Sequence, residues 1–104
     1  MNWYKTAQNQ IRGFRAENSG RGVMGDAISG GIYFFPNREL AELWAGGQGV
    51  VREALILVDN ASIQEESEGN AIHKGEDVII RKDPAGSGQI MEIIVFNKNA
   101  ITWI

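Results

Sequence analysis

The chain has 104 residues, 43% hydrophobic and 22% charged, with 13 glycines, one histidine and no cysteine. A chain of this length fits a single domain, residues 1–104, built around one core. The net charge of −3 and the lack of a basic stripe argue against nucleic acid as a partner, and the missing cysteine excludes disulfides, thiolate catalysis and Cys-ligated zinc. No apolar run approaches the ~20 residues that span a bilayer, and the first residues lack the apolar segment of a secretory signal. A soluble, cytoplasmic domain without membrane contact is expected.

Taken in chain order, Trp3, Ala7 and Ile11 recur every four residues, which predicts a helix over residues 2–11 ended by Gly13. Residues 13–17 then read as a short strand, with Phe14 and Ala16 on one side and Arg15 and Glu17 on the other. Residues 18–26 form a glycine-rich loop with Gly20, Gly22 and Gly25. Residues 31–35 are an aromatic strand stopped by Pro36. Asn37 is a preferred N-cap, and Leu40, Ala41, Leu43 and Trp44 mark an amphipathic helix closed by Gly46 and Gly47.

Residues 50–58 are apolar on both phases of a strand, which predicts a central position in a sheet. Residues 59–75 are polar and acidic, a solvated excursion with one short strand at residues 62–64. Residues 78–82 and 89–96 flank a turn-rich connector and read as a β-hairpin. A turn at residues 97–99 leads to a terminal strand at 101–104. Strands mixed with only two helices, without regular βα alternation, give an α+β class: a split, mostly antiparallel β-sandwich of about six strands and two helices.

Glu92 is the first candidate for chemistry. It lies in Ile90-Met91-Glu92-Ile93-Ile94-Val95-Phe96, and strict alternation puts it on a face with Ile90, Ile94 and Phe96. A carboxylate among apolar neighbours is costly unless hydrogen-bonded or facing a cleft; the alternative is an edge strand with Glu92 in water. Arg15 is free to face a cleft, where a guanidinium can clamp a phosphate, or to be a surface residue. Tyr33 shares a phase with Phe35 and can stack on a flat ring or serve as a core aromatic. His73 is expected in a solvated loop. The glycines of residues 20–25 lack the Lys-Ser/Thr of a phosphate loop, the acidic residues lack calcium-loop spacing, and no metal site is expected.

Three segments in order carry a resemblance: Phe14-Arg15; Gly30-Gly31-Ile32-Tyr33-Phe34 with the helix that follows; and Glu92-Ile93-Ile94-Val95-Phe96-Asn97 with Ile101 after it. This layout resembles the ADP-ribosyltransferase superfamily from about residue 12 onward. The middle segment is similar to the poly(ADP-ribose) polymerase branch; the first and last are similar to bacterial and phage members. The resemblance implies NAD as substrate and transfer of ADP-ribose to a macromolecular acceptor, most simply a protein, by a bacterial or phage effector. It implies Arg15 on the NAD phosphate or adenosine ribose, Tyr33 against nicotinamide, Ser29 assisting, and Glu92 as the catalytic carboxylate on the nicotinamide ribose. The sequence departs from the family in lacking His-Gly-Thr in the first motif and Ser-Thr-Ser in the second. Ile90 also stands where arginine-directed members carry a second acidic residue or Gln. A non-catalytic protein-binding or inhibitor module, gripping through the aromatic face around Tyr33 and Trp44, is the rival reading.

Overall fold

In a computed structural model, residues 9–17, 31–46, 49–65, 73–83 and 88–104 are described. Seven strands and one α-helix follow in chain order among them: β1 (Gln10–Glu17), β2 (Ile32–Phe34), α1 (Arg38–Ala45), β3 (Val50–Leu57), β4 (Ala61–Glu65), β5 (Val78–Lys82), β6 (Ile90–Val95) and β7 (Ile101–Trp103). A 3-10 turn at Lys98–Ala100 precedes β7. The radius of gyration, 12.9 Å, is that of a compact domain of this length.

The strands form two sheets. One has the order β1-β3-β7 and is antiparallel throughout; β3 is central, as its two apolar phases predict. The other has the order β2-β6-β5-β4, antiparallel except for the parallel β4–β5 pair. They meet at one corner, where Phe14 and Phe35 exchange backbone hydrogen bonds of 2.9 and 2.7 Å.

The first strand begins earlier than the periodicity implies. Asn9 has φ of 56°, a left-handed conformation that Asn tolerates and a helix does not. From Gln10 on, the chain pairs residue for residue with β3, Gln10 opposite Leu57 through Glu17 opposite Val50. The helix expected over residues 2–11 therefore does not contain Gln10 or Ile11, and residues 2–8 lie outside the described residues. Gly13 ends nothing. It sits mid-strand because a Cβ there would lie 2.6 Å from Ile56 Cδ1 and 3.0 Å from Phe34 Cβ.

Two apolar clusters hold the fold. The inner one fills the space between the sheets with Ile11, Ala54 and Ile56 from one side and Phe34, Val78, Ile80, Ile93 and Val95 from the other. The outer one joins Phe14 and Ala16 to Tyr33, Phe35, Ile79 and Ile94, with Ala41 and Ala45 of α1. The helix forms as its caps dictate: Asn37 Oδ1 accepts from the Leu40 amide at 2.9 Å, and Gly46 closes it at φ 65°. Trp44 stacks on Phe35 at 5.9 Å, whereas Leu43, expected in the apolar stripe, points to solvent.

One irregularity decides what surrounds Glu92. Arg81 opposes Glu92, but Lys82 opposes Ile90, so Met91 is an extra residue that bulges β6. The bulge turns Ile90 into the inner cluster beside Ile93. Ile90 therefore does not share the face of Glu92, contrary to the alternation expected from sequence.

Candidate functional site

The topology makes neighbours of the three segments singled out in the sequence. β2 lies between β1 and β6: it is bridged to β1 at Phe14–Phe35 and paired with β6, Tyr33 opposite Ile94. Tyr33, Ile94 and Glu92 consequently project from one face of the four-stranded sheet. Arg15 leaves β1 on the other phase, in step with Gly13, at the seam where β1 and β2 diverge beyond their bridge. There its Nη1 donates to the Tyr33 carbonyl at 3.1 Å and its Nε lies 3.4 Å from Glu17.

Each side chain has a definite setting. Tyr33 is 7% exposed and packs in the outer cluster, more deeply than an open stacking platform would. Glu92 is partly exposed and faces Arg81, whose Nη1 donates to its Oε1 at 3.3 Å. Arg81 is 8% exposed, the buried charged side chain of the described core. A guanidinium held in that position fixes the carboxylate's direction. Ser29 and the glycine-rich loop of residues 18–26 lie outside the described residues.

A cavity of about 370 Å³ opens where β2 stops at Pro36 and leaves β1 and β6 unjoined; it is lined by Ile11, Arg12, Pro36, Asn37, Gln89 and Ile90, among others. Glu92 does not line it. Among the described residues no group of three or more His, Asp or Glu is placed to hold a metal ion, and no helix is long and apolar enough to cross a membrane.

Sequence reasoning missed three features. Arg81 opposes Glu92 through the regular antiparallel register of β5 and β6, which local composition does not encode; a cation ending the apolar run Val78-Ile79-Ile80 is the available signal. Arg52 stands directly across from Arg15, with its guanidinium 3.8 Å from the centroid of the Trp103 ring. His73 is exposed, as expected, but it also stacks on Phe96 with ring centroids 3.6 Å apart, and its Nε2 lies 2.8 Å from the Glu76 carbonyl oxygen. Next to it the Glu76 carboxyl is held below its ordinary pKa, first by the neighbouring Ser62 hydroxyl and then by the Lys74 amide, which donates at 2.6 Å. Desolvation opposes both. Ser62 Oγ makes no hydrogen bond of standard geometry, so its influence on Glu76 is that of a nearby dipole.

No protein-family model, curated protein or solved structure matches this chain.

Proposed function

We propose that this domain cleaves NAD at the nicotinamide ribose and transfers ADP-ribose to a macromolecular acceptor, most simply a protein. The observation that carries the reading is the convergence of three sequence-distant segments on adjacent strands. Tyr33 and Glu92 share a face of β2 and β6, and Arg15 is bonded to the backbone of Tyr33. In this reading Arg15 meets the phosphates, Tyr33 borders the nicotinamide, and Glu92, steadied by Arg81, accepts a hydrogen bond from a ribose hydroxyl.

The chemistry follows from the carboxylate. The C1′–N bond breaks, its electron pair leaves with neutral nicotinamide, and positive charge develops on C1′ and the ring oxygen. A fixed negative charge beside that carbon stabilises the developing cation, as in glycoside cleavage. A nucleophile of the acceptor then attacks C1′ and gives up its proton to solvent.

The test is nicotinamide release from NAD by the purified chain. Glu92→Gln, nearly isosteric, is expected to reduce the rate by about 10²–10³-fold, the usual loss for one electrostatic contact to the transition state, while NAD binding persists. Equal rates with Glu92→Gln, or no release with any protein acceptor supplied, contradict the reading.

A second reading, a non-catalytic protein-binding module, is favoured by one observation: Tyr33 is committed to the core while Leu43 and Trp44 are exposed on α1. It is supported if NAD does not bind and Leu43→Ser abolishes capture of a protein partner without changing the melting temperature.

A further inference from the structure

On the inner phase of the three-stranded sheet, Arg15 and Arg52 face each other directly across β1 and β3. Like charges in that relation are destabilising. Among the described residues a single carboxylate serves both: Glu17 lies 3.4 Å from Arg15 Nε and 3.8 Å from Arg52 Nη1. Neither contact is a short, paired bond of the kind an Arg–carboxylate fork makes, and the three groups together carry one net positive charge.

The two guanidiniums are positioned by other means. Arg15 is anchored by the Tyr33 carbonyl, and its side chain is 18% exposed. Arg52, at 45%, lies over the indole of Trp103, which leans in turn on Phe34 with ring centroids 5.6 Å apart. A cation on an indole face is held without being neutralised. Two guanidiniums kept side by side and under-compensated, Arg52 half exposed and Arg15 with a remaining donor edge beyond its Tyr33 bond, are the recognition chemistry of an anion that spreads charge over several oxygens.

We infer that Arg15 and Arg52 together form a diphosphate-binding site, with Trp103 holding Arg52 in place and Glu17 occupying the site when no ligand does. The expected ligand is the diphosphate group of a nucleotide. That identification rests on the dinucleotide reading above, while the paired guanidiniums stand apart from it. The role extends beyond Arg15: Arg52 is a second contact to the same group, from a strand that none of the three sequence motifs includes.

The experiment is calorimetric titration of the full chain with inorganic pyrophosphate, ADP and adenosine at low and moderate salt, with melting temperature recorded for each variant. Pyrophosphate and ADP are expected to bind saturably and more weakly as salt rises; adenosine is not expected to bind. Arg52→Gln and Arg15→Gln should each weaken ADP by about tenfold, a typical loss for one charge-assisted contact. Arg12→Gln, which removes an equal charge from the same strand on its other phase, should leave the affinity unchanged. Should Arg52→Gln fail to fold, Glu17→Gln decides: removing the competing carboxylate is expected to tighten pyrophosphate. Absence of saturable pyrophosphate binding overturns the inference, as does an equal loss with Arg12→Gln or a failure of Glu17→Gln to tighten binding. ADP binding of the expected pattern without nicotinamide release contradicts the transferase reading and leaves this site standing. Nicotinamide release with no effect of Arg52→Gln on ADP overturns this site alone.

Discussion

Two clusters of the same composition, each two arginines around one glutamate, lie on opposite phases of the β1–β3 pair. In the first, Glu53 receives Arg12 at 2.8 Å and Arg38 at 3.1 Å, one from β1 and one from α1. Arg38 also lies over the Phe14 ring at 5.3 Å. In the second, Glu17 meets Arg15 and Arg52 only at 3.4 and 3.8 Å, and the two arginines stand directly opposite one another. The first cluster ties a helix to a sheet with short bonds to a mostly buried carboxylate. The second leaves positive charge under-compensated beside the seam that carries Tyr33. Identical residue counts therefore come with different geometry, and geometry, not composition, separates the structural clamp from the proposed ligand site.

The strongest way to break the comparison is at Gly13, which lies between Arg12 and Arg15 along β1. Gly13→Val places branched bulk against Ile56 and the Phe34 backbone-proximal carbon. It is expected to cost about 1–3 kcal/mol, as overpacking of a core does, measured by urea denaturation. Because Gly13 shares its phase with Arg15, the same variant is expected to weaken pyrophosphate binding while the Arg12–Glu53–Arg38 cluster persists. A change below about 0.5 kcal/mol would mean that β1 can move away from Phe34 freely.

A smaller effect sharpens it. Glu53→Gln removes the shared acceptor of two arginines from a largely buried position, and a loss of about 1 kcal/mol is expected, since both arginines are themselves well exposed and solvent-screened. Glu17→Gln is expected to lose less, and to recover the loss when pyrophosphate is added. Glu53→Gln should not recover. Chemical denaturation with and without pyrophosphate distinguishes the two directly.

The smallest expected effect is a pH dependence at Glu76, on neither arginine cluster. Its folded-state pKa is depressed, so its contribution is complete above the unfolded carboxylate value and disappears as pH falls through the lower folded value. Stability of Glu76→Gln should therefore fall less steeply on acidification across that window than stability of the parent chain. Parallel curves in the two proteins would remove Glu76 from the account.

The segments legible in the sequence are those whose signals are local. Pro36, Asn37 and Gly46 fixed the start and end of α1 because capping acts within a few residues. The central place of β3 was readable because both its phases are apolar. Even the short strand in the acidic stretch was visible, and it extends over Ala61–Glu65. What depends on register was not legible. Neither the Met91 bulge, which removes Ile90 from the face of Glu92, nor the register that sets Glu92 opposite Arg81 leaves a mark in local composition. Nor does the juxtaposition of Arg15 and Arg52, residues 37 positions apart in the chain and opposed only because β1 pairs with β3 from Gln10 onward. Of the candidate site, the shared face of Tyr33 and Glu92 follows from the β2–β6 pairing that sets Tyr33 opposite Ile94, and the burial of Tyr33 could be read only from the packing of Ile79 and Ile94 beside it.

The most direct test of the central claim is a calorimetric titration of Glu92→Gln with NAD, since that variant should bind the dinucleotide without consuming it. The expected result is saturable binding at sub-millimolar NAD, weakened by Arg15→Gln in the same background, with no nicotinamide released. No heat of binding at several millimolar NAD, from a variant whose melting temperature equals that of the parent chain, would contradict the account.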